Sequence, residues 1–260
     1  MENEQASYRA ISRVILVATA FLLMISVNAL ANILPIGGQL TGAVSDRYVS
    51  MFTPAGFTFA IWGVIYSGLL LFVVVQALPR FRRNTSLYRM DVPFALNGVL
   101  NAAWIVAWHY NQLILSLVIM LCLLWNLIVL YRTSRSERGL LWRLGVSGPI
   151  SLYFAWICMA TLANMSILQS AYGWNDVVMS ETIWTLLKLG AAGAMTAWIY
   201  THFRDAVFVA VVAWAAWGIQ AARVDGGPVG QAALVLAVAG AVLVAVHLLL
   251  GIRRQVSQTT

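Results

Sequence analysis

The chain has 260 residues, 61% of them hydrophobic and only 10% charged, with a mean hydropathy of +0.82. A water-soluble domain of this length cannot hide so much apolar surface, which leaves an all-α polytopic membrane protein. The formal charge of +7 does not signal nucleic acid, because the arginines stand in short clusters between apolar runs.

Eight spans are predicted, over residues 11–34, 55–78, 92–110, 112–131, 146–170, 183–202, 206–222 and 229–251. The first has some features of a secretory leader, with Arg9 and Arg13 ahead of the apolar run and Ala29-Leu30-Ala31 as a cleavage-like site. It runs on to Leu34, broken only by Asn28 and Asn32, a length that fits a retained membrane helix better. A long loop, 35–54, follows, bracketed by Pro35, Gly37, Gly38 and Pro54. Its Leu40, Val44, Tyr48 and Met51 are spaced for a short amphipathic helix. The third and fourth spans are joined by His109-Tyr110-Asn111-Gln112, which implies a tight antiparallel pair. Cys122 and Cys158 fall in apolar runs and read as small core residues, without metal-ligand spacing. After about residue 175 the spans grow richer in Ala, Gly and Val, including Gly190, Gly193 and Gly240, which favours close helix packing in lipid.

Positive charge sets the orientation. With the N-terminus inside, Arg9, Arg13, Arg80, Arg82, Arg83, Arg89, Arg132, Arg135, Arg138, Arg143, Arg204, Arg253 and Arg254 are cytoplasmic, and only Arg47 and Arg223 are outside. Both ends are therefore expected in the cytoplasm. Lys188 falls within the sixth span, where the expectation is that it snorkels outward or pairs with Glu181. Asp176 and Glu181 read as solvated loop charge.

The functional signal lies in Trp62, Trp104, Trp125 and Trp156, which stand well inside spans instead of in interfacial belts. A buried indole N–H needs a partner and a buried amide needs several, so such groups should face the bundle interior or a cavity. Phe59, Trp62 and Tyr66 share one face of the second span. Asn97, Asn101, Trp104 and Trp108 do so in the third, and Tyr153, Trp156, Ala160 and Asn164 in the fifth. Converged in the outer half of the bilayer, these stripes would give stacking faces and a few hydrogen-bonding groups, suited to a flat apolar ligand. His109 and His202 are at span ends, expected at the interface, and His247 is near the inner surface. No histidine lies on the stripes, so axial ligation of haem by a pocket histidine is not expected.

The order of these pieces resembles the TspO/MBR family of tryptophan-rich sensory proteins. The matching pieces are Pro54 to Tyr66, Leu100-Asn101-Ala102-Ala103-Trp104, Trp125, and Trp156 followed by Asn164, all within residues 11–170. The resemblance implies a five-helix fold with a pocket toward the first loop, binding porphyrins, haem or sterol-like molecules, often in a dimer. Carried over by position, the pocket residues are Trp62, Tyr66, Asn101, Trp104, Trp156 and Ala160. The family's first loop is rich in Trp and Pro; here Tyr48 to Pro54 holds no Trp, leaving Tyr48, Phe52 and Phe57 as ring faces. Pro149 also stands further before Trp156 than the family's helix-five proline.

The expected organisation is a cytoplasmic N-terminus (1–10), a TspO-like five-helix ligand-binding core (11–171), a three-helix membrane extension (172–252) and a cytoplasmic tail (253–260). The expected function is a sensor or carrier in a bacterial inner membrane. Its ligand site comprises Phe59, Trp62, Tyr66, Asn97, Asn101, Trp104, Tyr153, Trp156, Ala160 and Asn164. A tetrapyrrole or haem enters as ligand, with no required cofactor or metal. The partners are a hydrophobic small molecule, membrane lipid and a second copy of the chain. A transporter of an apolar or amphipathic solute and a structural membrane subunit are the alternatives. No acid–base or nucleophile–base constellation is visible in the membrane core, so an enzyme is not expected. Trp-mediated porphyrin photo-oxidation, proposed for relatives, is the one catalytic reading with support.

Overall fold

The apolar runs become helices whose ends are set by caps and turns. The computed structural model describes residues 2–34, 36–81, 83–223 and 226–259, with side chains described within 11–251. Pro35 and Arg82 lie outside the described residues, as do the side chains of Arg9, Arg253 and Arg254. Two compact units emerge, one from residues 1–48 and 60–157, the other from 49–59 and 158–260.

The first unit holds α1 (Glu2–Ile33), α2 (Thr41–Arg47), α3 (Ile61–Ala77), α4 (Thr85–His109) and α5 (Leu113–Ser134). It also contains the short α6 (Leu140–Trp142), a π-helical turn over Arg143–Ser147, and α7 (Gly148–Ala171) as far as Ile157. Helix α4 is its centre, packed against α1, α2 and α5. It starts earlier than the apolar run because the Asn84 side chain caps it, accepting from the Leu87 N–H at 2.9 Å. The helix also continues through Pro93. Its C-terminus turns sharply into α5: Asn111 adopts φ 54° and the Gln112 N–H donates to the Ala107 carbonyl at 2.9 Å. This is the expected tight antiparallel pair.

Gly98 permits α1 and α4 to approach closely. A Cβ there would lie 2.7 Å from the backbone oxygen of Ala20, so only a shift of backbone could accommodate it. Gly98→Leu is expected to cost about 1–3 kcal/mol through overpacking. Gly190→Leu, where a Cβ would meet nothing within 4 Å, should cost little. Melting temperatures in detergent compare the two; equal losses would contradict the close-approach argument.

Helix α2 is shorter than the expected amphipathic helix: Val44 lies within it and is buried, Leu40 is exposed at its start, and Tyr48 and Met51 lie past its end. It caps the end of α4. Trp108 Nε1 donates to the Thr41 carbonyl at 3.1 Å, and the His109 ring lies 3.3 Å from Thr41 Oγ1 through Nε2. His109 is consequently fully buried, not interfacial as its place at a span end suggested.

Pro149 explains the π turn that precedes α7. Without an N–H, proline cannot donate to the carbonyl four residues back, and the chain answers with a wider turn in which Gly148 N–H donates to the Arg143 carbonyl. Trp142 anchors the near side, its Nε1 donating to the Ser134 carbonyl at 2.8 Å.

The second unit holds the rest of α7, α8 (Glu181–Phe203), α9 (Ala206–Ala221) and α10 (Pro228–Thr259). Ser180 and Asp205 cap α8 and α9 through their side chains. Small residues bring α9 and α10 together: a Cβ on Gly240 would stand 2.8 Å from that of Ala213. Segment 49–59 belongs here as well. Ser170 Oγ donates to the Val49 carbonyl (2.8 Å), Glu181 Oε1 accepts from Met51 N–H (2.6 Å), and Arg223 donates to the carbonyls of Ser50 (2.8 Å) and Thr53 (3.4 Å). Ala55 N–H donates to the Gly218 carbonyl and Trp214 Nε1 to that of Thr58, while Phe57 packs against Trp214 and Trp217.

Among the described residues, six stretches are long and apolar enough to cross a membrane: Ile11–Ile33, Gly56–Ala77, Thr85–His109, Leu113–Ser134, Leu140–Ala171 and Pro228–Gly251. Helix α9 is apolar but shorter, and α8 is long enough but too polar. The chain is an integral multi-pass membrane protein. Two inward expectations are corrected. Trp125 is 71% exposed and Cys122 is exposed, because the buried face of α5 runs through Ser116, Met120, Leu123, Leu127 and Leu130, between which both residues fall outward.

Candidate functional site

Three helices of the first unit meet at a chain of buried polar side chains. Asn28 of α1 donates through Nδ2 to Asn101 Oδ1 at 2.6 Å, and Asn101 Nδ2 donates to the Tyr153 hydroxyl of α7 at 2.8 Å. Asn28 Nδ2 also donates to the Met24 carbonyl at 2.9 Å. All three are buried, Asn101 completely. In hydrocarbon each must find its partner within the protein, and the amide of Asn101 does so by serving as donor and acceptor at once.

Next to Tyr153 lies a cluster of rings. Trp62 stacks on Tyr66 (centroids 5.4 Å apart) and meets Tyr153 and Trp156 edge to face at 6.0 and 6.2 Å. Tyr153 and Trp156 are buried, whereas Trp62 and Tyr66 are half-buried and form the accessible side. Further along α4, Trp104 stacks on Trp108 at 5.8 Å. The indole N–H of Trp104 is buried with no hydrogen-bond partner among the described residues.

The remaining expected site residues fall elsewhere. Asn97 donates to Asn126 of α5 at 3.1 Å, an interhelical bond separate from the Asn101 chain. Phe59, Ala160 and Asn164 belong to the second unit, Phe59 being exposed and Asn164 buried. The residue that the stripes omitted is Asn28. Its signal is in the sequence, since Asn28 and Asn32 stand four apart in an apolar run, but by sequence alone they read as interruptions of that run.

An apolar groove of about 730 Å³ also opens in the first unit, lined in part by Leu23, Val27, Ala103, Val106 and Leu115. At 100° per residue, its α4 positions lie on the side opposite Asn101 and Trp104. Its walls are apolar except near Tyr110 and Gln112, the character of a surface that lipid chains cover.

The family model described as TSPO-like protein matches residues 14–250. The chain belongs to the TSPO-like protein family. The match runs past residue 170, where the sequence resemblance stopped, so the last three helices of this TSPO-like protein lie within the family's own pattern. No curated protein and no solved structure matches the chain. Family membership supports, at a general level, a ligand-binding or sensory protein of membranes.

Proposed function

We propose that this TSPO-like protein is a sensor or carrier that binds a flat apolar ligand against Trp62, Tyr66, Tyr153 and Trp156, with Asn101 positioning Tyr153. The observation that carries this reading is the contrast within the ring cluster. Two buried rings, Tyr153 and Trp156, adjoin the half-buried Trp62, which stacks on the half-buried Tyr66, so rotation of Trp62 and Tyr66 would open a slot with aromatic walls. A tetrapyrrole fits such walls by stacking, with the Tyr153 hydroxyl and the unpartnered Trp104 N–H as polar handles. A sterol-like skeleton uses the same faces.

In this reading the chain has eight spans with both ends in the cytoplasm of a bacterial inner membrane. Helix α8 crosses despite its polarity because its Thr185, Lys188 and Thr196 are buried within the second unit. Membrane lipid and a second copy of the chain are its partners, the ligand is not a required cofactor, and no chemistry is assigned.

The test is saturable quenching of Trp fluorescence by protoporphyrin in detergent. Trp62→Ala is expected to weaken binding at least tenfold, about 1.4 kcal/mol. Trp125→Phe, on the lipid-facing side of α5, should leave the affinity unchanged. Non-saturable quenching, or equal behaviour of the two variants, would refute the assignment.

A further inference from the structure

The second unit contains a buried positive charge with no salt-bridge partner among the described residues. Lys188 is only 7% exposed, so it does not snorkel. Its ammonium donates to Ser166 Oγ at 2.6 Å and to Gln169 Oε1, both neutral and both on α7. Glu181, its expected partner, stands about 10 Å up the same helix at 1.5 Å per residue and accepts the Met51 N–H instead.

Donors outnumber acceptors at this point. An ammonium has three N–H groups, and two are used. One turn earlier on the same face of α8, Trp184 carries an indole N–H that is buried and has no partner among the described residues. Two unmatched donors and one positive charge without a salt-bridge partner therefore share a short stretch of helix. Leaving a charge so placed is costly unless it is paired and hydrogen-bonded.

We propose that Lys188 and Trp184 form an anion site that takes a single carboxylate. One carboxylate supplies a negative charge in direct contact with the ammonium, and its two oxygens accept the two surplus N–H groups. A phosphate dianion would exceed the single charge of Lys188. The carboxylate comes either from a small solute in water or from the head group of a membrane-dissolved amphiphile. The site is independent of the aromatic cluster in the first unit.

The experiment is a melting-temperature titration of the full chain in non-ionic detergent with decanoate, acetate and, as the neutral counterpart, decanol. Saturable stabilisation by decanoate but not decanol is expected, with apparent affinity falling at least tenfold in Lys188→Met and in Trp184→Phe. Trp62→Ala should leave the response unchanged, which separates this site from the aromatic one. Stabilisation by acetate as well identifies an aqueous carboxylate as the ligand; stabilisation by decanoate alone identifies an amphiphile. Should Lys188→Met not fold, Trp184→Phe and the decanol comparison decide. No response to any carboxylate, an equal response to decanol, or an undiminished response in the variants would overturn the proposal.

Discussion

Asn101→Leu is expected to destabilise the first unit by about 2–3 kcal/mol, while Asn97→Leu, one turn away on the same helix, costs about 0.6 kcal/mol. The difference lies in what each amide holds. Asn101 is fully buried and links α1 to α7 through Asn28 and Tyr153. Leucine at that position removes both bonds and leaves two polar side chains facing hydrocarbon and rings. Asn97 makes one bond at 3.1 Å to a single partner, Asn126. Tyr153→Phe removes only the second link and is expected to fall between them, at about 1 kcal/mol. Thermal unfolding in detergent reads the series at roughly 2–4 °C per kcal/mol. Indistinguishable melting of the two Asn variants would mean that the buried chain does not hold the helices together.

Arg223→Ala is expected to release segment 49–55, speeding amide hydrogen exchange at Met51, Thr53 and Ala55 by about 10- to 100-fold. The guanidinium holds the carbonyls of Ser50 and Thr53, and charge-assisted bonds of this kind contribute about 1.5–3 kcal/mol. Local opening then needs correspondingly less free energy, a factor of ten for each 1.4 kcal/mol. Arg47→Ala is the control, because the hydrogen bonds of Arg47 go to Gln39 and Asn111 in the first unit. Unchanged exchange in Arg223→Ala would show that Ser170, Glu181 and Gly218 suffice to fasten the segment.

The helices were legible because each apolar run is long and its ends carry ordinary signals. The main differences are extensions: α4 begins at Thr85 under its Asn84 cap, and α1 and α10 continue into polar sequence. Helix α5 was harder to read, being apolar along most of its length; before its last turn only Ser116 and Asn126 mark its buried side with polar groups, so the outward turn of Trp125 carried no periodic warning. Asn101, Trp62, Tyr153 and Trp156 were found because amides and rings recur at three- and four-residue spacing. Asn28 escaped because one polar residue in a hydrophobic run looks like a defect until the opposite helix supplies its partner. The surroundings of Lys188 were hidden for the same reason. Ser166 and Gln169, on the preceding helix, give it neutral acceptors that no local pattern announces.

The wide turn at Arg143–Ser147 has a bearing on how the ring cluster is aimed. A π turn carries one residue more than an α turn over the same path, so it works as a phase dial within a continuous helix. With Trp142 pinned to α5 on one side, removal of a single residue from the turn would rotate Tyr153 and Trp156 together by about 100° without interrupting the helix. Every residue of the ring cluster could stay in the sequence and the cluster would still come apart. Five residues with no ring and no amide side chain among them thus set the direction in which the aromatic face looks.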